Sequence, residues 1–230
     1  MLKKIFRRLV PPHIINQLKN FTILANDYGQ YNTMKKWSCI TKDYNKIPWY
    51  TYPAIEYLNN IDFSTKEIFE YGSGNSSSFW GKRAKSVISI ESDFEWYNKV
   101  KKDLYKNQKL VLEENNEKYE KSIIQQGKKF DVIIIDGIRR VECAKIIDLY
   151  INRESEEGYM VLLDNSDWYK MTSKYLRDKL DLIEVDFHGF GPINGFTWTT
   201  SIFFSRNYRF KPIANIQPND SIAGREKSGE

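Results

Sequence analysis

Glu67-Ile68-Phe69-Glu70-Tyr71-Gly72-Ser73-Gly74-Asn75-Ser76-Ser77-Ser78-Phe79-Trp80 is the stretch whose reading decides how this chain folds. It begins as an apolar run bounded by charge, the pattern of a buried strand. Two glycines and small hydroxyl residues then turn the chain, and Phe79 and Trp80 resume it as a helix. Glycines at such a turn let the backbone come close to a ligand, and free N–H groups at the next helix start favour a carboxylate or phosphate. A dinucleotide site requires G-x-G-x-x-G, but Ser77 stands where the third glycine belongs. Glu70, two residues before Gly72, is a strand-end acid aimed at the same turn.

Downstream, Ser86–Glu91 reads as a second buried strand ending in a carboxylate. Glu91 follows Gly74 by 17 residues, near the separation at which an acid meets a ribose diol in such folds. Phe94, Trp96, Tyr97 and Val100 mark a helix. Leu110-Val111-Leu112-Glu113 is a third strand, and a polar helix over 116–126 leads to Phe130–Gly137, the most apolar strand of the chain. Such a strand belongs in the middle of a sheet covered on both faces. Ligands bind at the carboxyl ends of these strands, so Asp136 faces the site. Arg139 and Arg140 follow directly and either pair with that acid or receive an anionic substrate. Gly158–Asn165 is a fifth strand ending in Asp164, and Asp167 is placed to cap the helix through Trp168 and Leu176. Two strands without an intervening helix follow, Leu182–Phe187 and Phe196–Phe204, joined by a hairpin-like loop over 188–195. His188 lies there at the expected pocket rim, as a base or as a surface residue.

Upstream, residues 1–10 put Leu2, Ile5, Phe6 and Leu9 at helical spacing among Lys3, Lys4, Arg7 and Arg8 before Pro11-Pro12. This basic amphipathic segment suits a helix packed on its own domain, or weak docking on an anionic membrane face. The aromatic-dense segment 47–58 is expected to enter a helix near Pro53 and to cover the pocket or fill the core.

The bulk properties set limits. The chain has 230 residues, 41% hydrophobic, with 15% aromatic and a formal net charge of +5, which fits one well-cored globular domain with short additions. Basic residues form no stripe interleaved with aromatics, so nucleic acid is not an expected partner. Cys39 and Cys143 have no metal spacing and read as reduced cytoplasmic thiols.

Taken together, the Glu70–Gly74 turn, Glu91, Asp136 and the terminal hairpin resemble a class I S-adenosylmethionine (SAM)-dependent methyltransferase over residues 53–205. The phrases Phe69–Ser76, Asp136-Gly137, Leu163–Asp167 and Gly189–Pro192 are similar to uncharacterised bacterial methyltransferases associated with surface-glycan or secondary-metabolite pathways. The resemblance implies a Rossmann-like, three-layer α/β/α fold with a seven-stranded, mostly parallel sheet and an antiparallel terminal hairpin. It implies SAM bound by Glu70, Gly72, Ser73, Gly74, Asn75, Ser76 and Asp136, with Glu91 at the ribose and Glu113 or Glu114 at the adenine edge. A division into an N-terminal helical extension (1–60), a SAM-binding domain (61–210) and a mobile tail (211–230) goes with it.

Asp136, Asp164 and Asn165 also match, residue by residue, the divalent-cation set of catechol-type O-methyltransferases. That implies Mg²⁺ or Ca²⁺, with Arg139 and Arg140 standing where that family carries a lysine base and a longer insertion. Without a metal, Asp136 or Asp164 is the candidate general base. The expected activity is O-methylation of a small molecule or glycan, in the cytoplasm or at the inner membrane face. A non-catalytic scaffold and an NAD-dependent enzyme are the alternatives. The stretch Asp164-Asn165-Ser166-Asp167-Trp168 lacks the paired prolines of nucleic-acid amino-methylating enzymes.

Overall fold

Alternation along the central strands determines the layering. In the computed structural model, which describes residues 10–224, Ile68, Val132, Ile134, Met160 and Leu162 fall in one buried cluster. Their sequence neighbours Phe69, Ile133, Ile135, Val161 and Leu163 fall in another. Successive side chains of a strand point to opposite faces, so a strand apolar at every position builds two cores, one on each side of the sheet. Each fully buried Ile or Leu removed from water adds roughly 1.5–3 kcal/mol.

The seven strands are β1 (Glu67–Tyr71), β2 (Ser86–Glu91), β3 (Gln108–Leu112), β4 (Val132–Ile135), β5 (Met160–Leu163), β6 (Ile183–Gly189) and β7 (Trp198–Phe204). Their order is β3-β2-β1-β4-β5-β7-β6. All neighbouring pairs are parallel except β7, which runs antiparallel to β5 and β6. The order reverses between β1 and β4, which opens a crevice at their carboxyl ends.

Helices α1 (Pro12–Thr22), α2 (Gln30–Lys36) and α3 (Tyr52–Asn59) precede the sheet. Helices α4 (Asn75–Gly81), α5 (Phe94–Val100), α6 (Asn116–Glu120), α7 (Arg140–Ile146) and α8 (Lys170–Asp178) connect its strands. Proline at the first turn of α3 loses no hydrogen bond that the helix could make. The N-terminal segment lies across the carboxyl edge of the sheet. Gln30 Nε2 donates to the Gly191 carbonyl at 3.1 Å, and the Ile193 N–H donates to Thr33 Oγ1 at 2.8 Å. Thr51 Oγ1 reaches the Phe187 carbonyl.

Two expectations change at this level. The chain beyond Lys211 does not come loose at once: the Asp62 N–H donates to the Lys211 carbonyl, and the Ile213 N–H to the Asn60 carbonyl. Helix α8 begins at Lys170, and the Asp167 carboxylate accepts from the Thr199 N–H instead of capping it. The basic segment expected over residues 1–10 lies, apart from Val10, outside the described residues.

Candidate active site at the carboxyl edge

Gly72 follows β1 directly and turns with φ 94°, a backbone conformation that a side chain rarely allows. Its N–H donates to the Ile90 carbonyl at 2.9 Å. A Cβ here would lie 3.0 Å from the Gly137 nitrogen and 3.1 Å from the Asp136 carbonyl carbon. A Cβ on Gly137 would meet Tyr119 Oη and the Gly72 backbone in turn. Two glycines therefore let the β1 and β4 turns touch at the reversal point of the sheet.

Four hydrogen bonds hold the Glu91 carboxylate. Oε2 accepts from the Ser73 N–H (3.1 Å) and Ser73 Oγ (2.7 Å), and Oε1 from the N–H groups of Ser92 (2.8 Å) and Asp93 (3.0 Å). A carboxylate has about four acceptor positions, so all are engaged. Of the four, the Ser73 hydroxyl is the one donor that can rotate away without moving backbone. Trp96 lies on the same turn: Nε1 donates to the Ser73 carbonyl at 2.7 Å, and the ring runs 3.7 Å from the place of a Gly74 Cβ. The sequence marked Trp96 only as a helical residue; nothing in its spacing signals this contact.

Glu70 is wholly buried beneath the turn. Its Oε2 accepts from Ser77 Oγ and Ser89 Oγ, each at 2.6 Å, and Ser77 Oγ accepts from the Gly74 N–H. Oε1 has no partner. Burial pushes this carboxyl up to about 7, against the pull of the serine hydroxyls beside it. Tyr50 Oη and Trp80 Nε1 are also buried without partners. Burial raises the Tyr50 hydroxyl well above its ordinary value, and the charges of Asp136, Glu70 and Asp164 near it add to this. Orphaned polar groups in the interior carry a cost of roughly 1–3 kcal/mol each. Asn75 turns to the N-terminal segment, its Nδ2 donating to the Cys39 carbonyl at 2.7 Å, and Ser76 is buried beside Glu70.

Across the crevice, Arg140 gathers the ends of β4 and β5. Nη2 donates to Asp136 Oδ1 at 3.1 Å and to the Asp136 carbonyl at 3.2 Å, and Nε to the Gly137 carbonyl at 2.9 Å. Nη1 donates to the Asp164 carbonyl and lies 3.5 Å from Asn165 Oδ1. The side chain is only 8% exposed, and its guanidinium lies 4.3 Å over the Tyr169 ring. Asn165 adopts a left-handed φ of 50°, which Asn tolerates better than most residues. Asp164 Oδ1 accepts from Trp198 Nε1 (3.1 Å) and Thr200 Oγ1 (2.5 Å).

Burial, and then the neighbouring Asp136 charge, push Asp164 well above the usual carboxylate range. Burial raises Asp136 to about 6, with Arg140 pulling it down and Glu91 pushing it up. Asp136, Asp164 and Asn165 are thus brought together as expected, but around an arginine. The donor set does not fit a divalent cation, because the guanidinium holds Asp136 and Asn165, and Trp198 and Thr200 hold Asp164. Among the described residues no group of three or more His, Cys, Asp and Glu side chains is placed for a metal.

The remaining candidates lie apart. Arg139 Nε pairs with Glu120 Oε1 at 2.6 Å, and its side chain is 44% exposed. Glu113 accepts from the Asn115 N–H in its own loop and Glu114 is exposed, both just past β3. His188 is not at the crevice. Its Nδ1 lies 2.7 Å from Thr199 Oγ1, and Thr199 and Thr200 point to opposite faces of β7. It lines a separate cavity of about 410 Å³ with Ser166, Asp167 and Lys170. Phe196 forms an exposed wall near Asp164, its ring centroid 6.5 Å from Trp168 and 6.2 Å from Trp198.

No described family and no curated protein matches the chain. Solved structures do. A methyltransferase described as putative, from Streptococcus mutans and in complex with SAH, is 15% identical over 64% of this chain and 92% of its own, with a TM-score of 0.47. An rRNA methylase from Streptococcus thermophilus is 12% identical over 66% of this chain and 95% of its own (TM-score 0.47). A methyltransferase from Pyrococcus furiosus is 18% identical over 61% and 75% (TM-score 0.45). By strand order, and by the reversed β7, this chain has the seven-stranded fold of class I SAM-dependent methyltransferases.

Proposed function

We propose that this protein is a SAM-dependent methyltransferase acting on a hydroxyl of a small molecule or glycan. One observation carries the reading: at the reversal point of the sheet, a glycine turn packed on Gly137 lies between Glu91 and the unpartnered Oε1 of buried Glu70. The residues fit the cofactor. Backbone at Gly72 and Gly74 can approach it closely, and Glu70 Oε1 offers a buried acceptor to a cationic amino group. Glu91 receives the ribose diol once Ser73 Oγ rotates away, and Glu113 or Glu114 lies at the strand end where the adenine edge would fall. When bound, SAM supplies an electrophilic sulfonium methyl.

The chain's own work is to orient an acceptor and take its proton. Asp136, at about 6 and 22% exposed, is ionised near neutral pH and reaches the crevice, so it is the better base. Asp164 is held by Trp198 and Thr200 and favours its protonated form. Arg140 positions Asp136 and is the cation of this site. The exposed rings of Trp168 and Phe196, with Trp198 buried edge-on behind Phe196, offer apolar surface to a sugar or phenolic ring.

Calorimetric titration with SAM tests the assignment. Binding in the micromolar range is expected for the parent, weakened at least about ten-fold by Glu91→Ala through loss of the diol contacts. Parent protein that takes up no SAM in the presence of acceptor candidates would rule the reading out.

A further inference from the structure

Helix α1 buries none of its residues. Ile14, Leu18 and Phe21 are 42%, 49% and 69% exposed, and their i, i+4, i+7 spacing sets them on one stripe. Helix α2 adds Tyr31, Met34 and, at its end, Trp37, exposed 59%, 40% and 73% beside Lys35 and Lys36. The charge of the chain is gathered in the same segment. Nine of the 35 Lys and Arg lie in residues 1–46 against two of the 30 acids, a formal +7, whereas the remaining 26 bases and 28 acids sum to −2.

An exposed apolar stripe on a strongly cationic segment has few complements. A second copy would bring +7 against +7, which opposes association. A polyphosphate strand would answer the charge but leave the isoleucine, leucine and phenylalanine in water. A surface that is anionic and has an apolar layer immediately beneath satisfies both. We propose that the N-terminal segment, with α1 as its apolar contact, docks the protein on an anionic lipid surface. Residues 1–9 hold four of those nine basic side chains and, after Met1, four apolar ones, the composition of an interfacial segment. This inference is independent of the methyltransferase reading.

Co-sedimentation of the full chain with vesicles tests it. Vesicles of phosphatidylcholine with about 30 mol % phosphatidylglycerol should retain at least about ten-fold more protein than phosphatidylcholine alone, and raised salt should weaken this retention. The double variant Leu18→Asp/Phe21→Asp should lose it, with unchanged circular dichroism and thermal midpoint. A second variant, with Lys3, Lys4, Arg7 and Arg8 all replaced by Ser, should lose the preference for anionic vesicles. Equal retention on both vesicle types, no retention, or full retention by the double variant would overturn the proposal. So would a concentration-dependent dimer, seen by light scattering and abolished by the double variant, in protein that ignores vesicles.

Discussion

The two sides of the crevice meet the same problem, a carboxylate out of water, by different means. On the β1–β2 side Glu91 accepts from two neutral donors on each oxygen, three of the four being backbone N–H groups. On the β4–β5 side Asp136 and Asp164 stand around a single buried guanidinium. The first arrangement is built from backbone and follows once the turn forms. The second depends on one side chain, leaves one more acid than base, and shifts both acids upward. Shape is fixed on one side and charge is poised on the other, the division of labour that the proposed donor pocket and reacting centre would call for.

The sharpest way to break this contrast is to remove the cation. Arg140→Met should destabilise the fold by about 3–5 kcal/mol at pH 8, since it leaves buried acids without their counter-charge. The loss should shrink at pH 5, where the acids can protonate. Urea denaturation at the two pH values reads both outcomes, and equal losses would mean that Arg140 acts by packing alone.

A smaller effect belongs to Glu70. The unfolded chain releases this proton near 4.5 and the folded one near 7. Between those values the folded state holds a proton that the unfolded state has lost, so stability falls as pH rises through the window. Asp136 adds a contribution of the same sign. The loss from Glu70 is at most about 3.4 kcal/mol, and Glu70→Gln should flatten the stability profile between pH 5 and 8 by about half. An unchanged slope would assign the dependence to the acids around Arg140. The smallest effect is expected at His188: His188→Ala should leave SAM affinity and transfer within about two-fold and stability within about 0.5 kcal/mol, as a residue of β6 on the far face of the sheet would.

Much of the fold was legible because the central strands are apolar at every position, a pattern only a sheet covered on both faces explains. Glycine spacing and strand-end acids located the crevice for the same reason. What lay hidden depends on where long side chains reach. Arg140 reads in sequence as a candidate partner of Asp136, but nothing there signals that it also reaches the end of β5 at Asp164 and Asn165. Trp96 and Tyr50 are ordinary members of aromatic segments until the fold brings one onto the Ser73 carbonyl and the other among buried acids. Asp167 has the sequence of a cap, but the β7 backbone competes for it. The near match of Asp136, Asp164 and Asn165 to a cation set was real in position, while the identity of the cation was decided by a residue 24 positions before Asp164.

The clasp between α2 and the loop after β6 has a consequence for the order of assembly. Gln30 and Gly191 are 161 residues apart, as far as most of the chain extends, and closing so long a loop gives up chain entropy that local pairings do not. Contacts of that separation form late. The central strands can pair and the core on the opposite face can close before the clasp is made, whereas the core that holds Tyr50 and Ile193 closes with it. A chain still emerging from the ribosome, with the loop after β6 unmade, would carry the glycine turn with its cover not yet in place.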